Sequence, residues 1–296
     1  MVKQSGSLKI AGKIQDYKLL IKFNLSFMVV FSAVISYLLA PGVTVFDWKS
    51  ILLFFAGGML VTGSANAINQ VVEKDTDAMM KRTAARPVAS GRMSVTEGWA
   101  FAIGSGIAGV LILWQFNFLT AALATFSLFL YAFIYTPLKK VSSIAVLVGA
   151  VPGALPCLIG WAAGNDSLSA GGWALFALQF FWQFPHFWAI AWIAHKDYSA
   201  AGFKLLPSEA GPTKYSAIQA IIYSLLLLPV GILPYILGMS GLPSMLVVLI
   251  ANLFMITQCI RLYRDMSVKA ARRVMFSSYI YLPIVLLALL ADKIKV

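Results

Sequence analysis

The feature that most constrains this chain is a recurrence. Apolar runs of about 20 residues, the length that crosses roughly 30 Å of hydrocarbon at about 1.5 Å per residue, repeat from Ile21 almost to the C-terminus. Backbone polar groups in hydrocarbon must be satisfied internally, and uninterrupted runs of this length do so as helices. Nine spans are predicted, at 21–40, 50–71, 96–115, 118–136, 144–163, 173–194, 217–238, 243–260 and 275–291. The expected fold class is therefore an all-α polytopic membrane protein. With 60% hydrophobic and 11% charged residues, the chain has too little polar surface to clothe a water-soluble globule of its size. The lipid bilayer is the first partner to expect.

A net charge of +12 raises the question of nucleic acid, and the placement of the charges answers it. If the N-terminus is cytoplasmic, 20 of the 23 Lys and Arg fall in the N-terminal tail or in loops after even-numbered spans. Only Lys49, Lys293 and Lys295 lie outside. That is the positive-inside pattern of a membrane protein with a cytoplasmic N-terminus and an outside C-terminus. No basic groove with interleaved aromatics marks a soluble segment, so no nucleic-acid partner is expected. Cys157 and Cys259 fall inside apolar spans and read as structural thiols. The first apolar segment is long and has no small-residue cleavage site, so no cleaved signal is expected. Residues 1–17 read as a polar cytoplasmic tail and residues 18–296 as one transmembrane domain.

The segment after the second span concentrates the chemistry. Three of the chain's eleven acids, Glu73, Asp75 and Asp77, lie within five residues. If the helix continues out of the bilayer, Asn69, Glu73 and Asp77 share one face at i, i+4 and i+8, and Asp75 points elsewhere. Such a row is an oxygen-ligand set for a hard divalent cation. Mg²⁺ favours one or two carboxylates together with substrate phosphates. Arg82 and Arg86 can hold diphosphate oxygens bidentately. The bland alternative is a solvated helix end.

Asn69-x-x-x-Glu73-x-x-x-Asp77 followed by Met80-x-Arg82-Thr83-x-x-Arg86-Pro87 resembles the signature of the protoheme farnesyltransferases, or heme O synthases. These stand within the wider family of UbiA-type membrane prenyltransferases related to 4-hydroxybenzoate polyprenyltransferase. A second segment agrees: Trp182-Gln183-x-Pro185-His186, ending in Lys196-Asp197-Tyr198 before Leu206-Pro207, is similar to the heme branch. Tyr135-Thr-Pro-Leu-Lys139-Lys140 with Gly149 to Pro156 is similar to the family's fourth inside turn and fifth helix, where Lys140 is placed to bind diphosphate.

The resemblance implies about nine helices around a central cavity open to the cytoplasmic side, in a bacterial inner membrane. It implies transfer of the farnesyl group of farnesyl diphosphate to a vinyl group of protoheme IX (heme B), giving heme O and diphosphate, with Mg²⁺ as cofactor. Asn69, Glu73, Asp77 and Asp197 are its expected metal ligands, and Arg82, Arg86, Lys140 and Lys196 its expected substrate-binding residues. The wider family has two or more acids in the second loop where this chain has only Asp197, so one ion between Asn69, Glu73, Asp77 and diphosphate is the expectation. Heme A synthase or a terminal oxidase is the partner class implied.

His186 lies eleven residues before Asp197, close to three helical turns. A polar residue inside a span is costly and usually functional. It reads as an acceptor contact, either an iron ligand or a proton-transfer group, or else as an interhelical hydrogen bond. Alternatives of other specificity or class are a prenyltransferase acting on an aromatic quinone precursor, and a heme-binding or transport protein. The clustering of acids at one surface rather than at mid-membrane disfavours the last.

Overall fold

The protein is seen in a computed structural model that describes residues 12–208 and 210–294. Lys3, Lys9 and Lys295, counted in the charge pattern, lie outside the described residues, as do residues 1–11 of the tail. From Gly12 the chain is already helical: α1 (Gly12–Leu20) meets α2 (Phe23–Leu39) at a 51° bend. Lys13 and Tyr17 both bond Glu97, and Arg92 pairs with Asp16, so this part of the expected tail is docked on the bundle.

There follow α3 (Trp48–Val72), α4 (Lys74–Met79), α5 (Val95–Trp114) and α6 (Phe118–Phe129), the last running through a π-helical segment (Leu130–Tyr135) into α7 (Thr136–Leu138). Next come α8 (Ala145–Asn165), α9 (Ala170–Ile193), α10 (His195–Ala200), α11 (Lys214–Ile236), α12 (Leu242–Asp265) and α13 (Val268–Ala291). Their starts are set locally, since Asp47, Ser94, Asn117, Thr213 and Ser267 each accept a hydrogen bond from a first-turn amide.

Among the described residues seven helices are long and apolar enough to cross a membrane, or eight when the bent pair counts as one span. The predicted ninth is α9. Its 24 residues are long enough, but Gln179, Gln183, Pro185 and His186 dilute its apolar character. It tolerates them because it is enclosed by α8, α11 and α13. Elsewhere the outward faces carry Ile103, Ile107, Ile250, Phe254, Phe276 and Ile280, exposed as lipid-facing side chains are.

Close helix contact depends on missing side chains. A Cβ on Gly160 of α8 would strike the Ala33 carbonyl of α2, and one on Gly153 would strike the Gln183 amide. Gln179 and Gln183 cross from α9 to donate to the Gly153 and Ala150 carbonyls, beside Pro152 and Pro156. Ser127 donates to the Pro152 carbonyl, whose usual helical partner Pro156 cannot supply.

The bundle has two unlike ends. One gathers α1, α4, α7, α10 and the α12–α13 turn. The other carries exposed Trp48, Trp114 and Trp173. There Lys293 Nζ donates to the carbonyls of Leu38, Ala40 and Val43 at 2.7, 2.9 and 2.8 Å.

Candidate active site

The acid row forms as the spacing predicts, but across a break. α3 ends at Glu73, whose φ of −94° and ψ of 13° interrupt the helix before α4 resumes it. The Asp77 amide still donates to the Glu73 carbonyl at 2.7 Å, so the i, i+4 relation is kept. Asn69, Glu73 and Asp77 are all buried. Asn69 Nδ2 donates to Glu73 Oε2 at 2.7 Å, which ties the first two together.

Each member of the row presents an oxygen to a separate protein cation. Lys22 Nζ donates to Asn69 Oδ1 at 2.9 Å. Lys139 Nζ lies 2.5 Å from Glu73 Oε1. Arg86 Nη1 reaches both Asp77 oxygens, at 2.8 and 2.6 Å. Glu73 Oε1 is thus held by the Lys139 ammonium and Oε2 by Asn69. Burial pushes the Asp77 carboxyl above the ordinary carboxylate range, and Arg86 opposes that shift. Burial likewise lowers the Lys139 ammonium, against the pull of Glu73.

These oxygens fit a hard cation. They are carboxylate and amide oxygens carried in an i, i+4, i+8 row, they are buried, and each already attracts a basic side chain. Among the described residues no three His, Cys, Asp or Glu side chains converge as a ready-made metal cage, so any ion here needs further ligands from substrate or water.

The other side of the row is built by Tyr131 and Tyr135 of the π-helical segment and by Thr136, which opens α7. Asn69 Nδ2 is 3.5 Å from Thr136 Oγ1. Lys139 lies 5.1 Å from the Tyr135 ring centre and 5.2 Å from that of Phe203. Lys139 is therefore the buried member of the basic pair. Lys140, named from the sequence, is exposed and donates to Thr76 at 2.6 Å.

Arg82 donates to the Tyr198 hydroxyl at 2.7 Å, bridging the two loops. The break that begins α10 copies the first one: Ala194 has φ −92° and ψ 13°, like Glu73. Counting from the breaks, Ala194 stands where Glu73 stands and Tyr198 where Asp77 stands. Asp197 and Lys196 are thereby turned away. They line a cleft of about 500 Å³ with Trp192, Pro212 and Met266, and no hydrogen bond joins Asp197 to the row. His195, which lines it too, bonds Ser199.

His186 is buried, stacked on Trp182 at 5.0 Å, with Nδ1 2.7 Å from Ser278 Oγ of α13. Ser278 gives its only hydroxyl proton to the Met275 carbonyl at 2.6 Å. The Ser278 oxygen must then accept from His186 Nδ1–H, which leaves Nε2 with the lone pair. The interhelical bond is thus present together with a free ring nitrogen.

Lys22, Lys139 and Tyr198 are the site residues that spacing alone does not single out. Lys139 and Tyr198 stand inside the quoted motifs, whereas Lys22, 47 residues before Asn69, stands in none.

A family model described as the UbiA prenyltransferase family matches residues 29–280. A protoheme IX farnesyltransferase of Cytophaga hutchinsonii is 46% identical over 286 residues, which cover 96% of this chain and 100% of that one. The fold is similar to that of a digeranylgeranylglyceryl phosphate synthase, with a TM-score of 0.79, 22% identity and coverage of 96% and 100%. It is also similar to a UbiA homologue from Archaeoglobus fulgidus bound to GPP and Mg²⁺, with a TM-score of 0.65, 14% identity and coverage of 93% and 99%.

Proposed function

The chain belongs to the UbiA prenyltransferase family, in its protoheme IX farnesyltransferase branch, and from that premise we propose that it transfers the farnesyl group of farnesyl diphosphate to a vinyl group of protoheme IX, giving heme O. The observation that carries the reading is the buried row Asn69, Glu73, Asp77 with a cation on every member, at the end of the bundle where lipid-like and water-borne substrates meet. Asn69, Glu73 and Asp77 would hold Mg²⁺, which when bound would supply Lewis-acid stabilisation of diphosphate charge. The A. fulgidus structure, which shares the fold and binds Mg²⁺ with a prenyl diphosphate, supports that cofactor.

Arg82, Arg86 and Lys140 bind diphosphate oxygens and stabilise the charge that grows there as the C1–O bond breaks. Tyr198 holds Arg82 through a hydrogen bond to its hydroxyl, and Lys139 holds the Glu73 side chain in place. Farnesyl C1 bonds to the terminal vinyl carbon, the porphyrin-side cation takes up water, and one proton is released to solvent. His186 offers Nε2 to the acceptor as iron ligand or proton-transfer group. Lys196, in the cleft beside α13, is available to a porphyrin carboxylate, and Asp197 stands with it rather than with the metal.

The setting proposed is a bacterial inner membrane, with the acid end cytoplasmic, the C-terminus outside, one transmembrane domain over 18–296, and delivery of product to a heme A synthase or terminal oxidase. Purified protein incubated with reduced heme b, farnesyl diphosphate and Mg²⁺ should give heme O by liquid chromatography and mass spectrometry, and Asp77→Ala should give none. Prenylation of a 4-hydroxybenzoate-type acceptor in place of heme would sink the heme assignment and keep the transferase.

A further inference from the structure

Lys22 is the residue whose placement the reading above leaves unexplained. It sits in the two-residue gap between α1 and α2 with φ 47° and ψ 58°, a left-handed conformation that side chains other than Gly and Asn seldom adopt. The strain is held from outside. Gln70 donates to the Leu19 and Leu20 carbonyls at 2.8 and 3.0 Å, and Asn66 donates to the Ile21 carbonyl and to Ser26 at 3.2 and 3.0 Å. Two amides of α3, three residues before and one residue after the first ligand of the row, thus fix the kink that delivers the Lys22 ammonium to Asn69 Oδ1. A non-glycine residue kept left-handed by its surroundings marks a position where direction matters more than local comfort.

Its partner makes the arrangement informative. Asn69 is neutral, so the ammonium gains no carboxylate there and occupies instead the oxygen that a divalent ion on this row would use. A cation on that oxygen and the ammonium exclude one another. An ammonium displaced by the ion would be left beside a diphosphate bound to the same ion.

Resting on the prenyl diphosphate reading of this row, we propose that Lys22 is a further diphosphate-binding residue that also competes with the metal. Its ammonium holds Asn69 Oδ1, and when ion and diphosphate occupy the row it transfers to a diphosphate oxygen. Metal alone therefore binds against Lys22, and diphosphate binds with it.

The two roles have opposite signs, which separates them from mere support of the fold. Full-length protein in detergent is titrated with Mn²⁺ alone by electron paramagnetic resonance, and with inorganic pyrophosphate at saturating Mg²⁺ by calorimetry. For Lys22→Met, Mn²⁺ affinity should rise at least about threefold as the competing charge goes. Pyrophosphate affinity should fall about tenfold or more with the lost charge-assisted hydrogen bond. Lys22→Arg should restore pyrophosphate binding. Weaker binding of both probes, or no change in either, overturns the proposal. Neither probe is a prenyl donor or acceptor, so these outcomes do not depend on which acceptor the enzyme uses.

Discussion

Removing Lys139 should cost more stability than removing Lys139 and the Glu73 charge together. The two side chains are 9% and 7% exposed and their charged atoms lie 2.5 Å apart, so neither has water to fall back on. Lys139→Met leaves a buried carboxylate with only Asn69 Nδ2 as a directed partner, a loss of about 3–5 kcal/mol. Glu73→Gln keeps an acceptor for Asn69 and strands the ammonium instead. That ammonium still faces the rings of Tyr135 and Phe203, so the cost should be smaller, about 2–3 kcal/mol. The double variant has no stranded charge and should fall within about 1 kcal/mol of the parent. For a chain of this length about 2 °C of melting temperature corresponds to each kcal/mol, giving drops of about 6–10 °C, 4–6 °C and 2 °C. The assay is tryptophan-fluorescence melting in chelator, so that metal plays no part, with Lys140→Met, whose residue is exposed, as a silent control. A double variant that loses the sum of the two single losses, or single variants that melt with the parent, would refute the coupling.

Ser278→Ala should leave the fold intact while blurring the ligand-field spectrum of heme added to the protein, because His186 loses the acceptor that fixes Nε2; Ser278→Thr should restore it, and an unchanged spectrum would show that the ring is held by Trp182 alone. Gly160→Val should abolish correctly assembled protein, seen as loss of a monodisperse peak in detergent, since the added atoms meet backbone of α2 and repacking costs about 3 kcal/mol or more. Chelation should stop product formation reversibly. Asp197→Asn should retain at least about half of the Mg²⁺-dependent pyrophosphate affinity that Asp77→Asn loses by about tenfold or more, because only Asp77 lies on the row.

Long apolar runs made the helices legible, and the i, i+4 period made the acid row legible, because both depend on local geometry. That Lys139 is the buried member of the basic pair and Lys140 the exposed one was not legible. The π-helical segment Leu130–Tyr135 inserts extra turn width just upstream, which moves the inward face by a residue, and nothing in Leu-Tyr-Ala-Phe-Ile-Tyr announces it. Lys22 read as one tail charge among five because its direction is set by Gln70 and Asn66, about 50 residues away. Asp197 matched a motif by type, yet the break at Ala194 sets which face of α10 turns inward, and Tyr198 takes that place. The apolarity of α9 was overstated for a related reason: its amides and imidazole are answered by partners on α8 and α13 that a single-span reading cannot see.

The clasp made by Lys293 is a long-range tie. Its ammonium closes the frayed end of the first long helix, yet 250 residues separate it from the Val43 carbonyl. Without α13 in place those carbonyls lack this partner, and α2 is held by its packing on α3 and α8. The single ammonium therefore ties the end of α2 to the stretch that follows α13, joining the first and last long helices at one point.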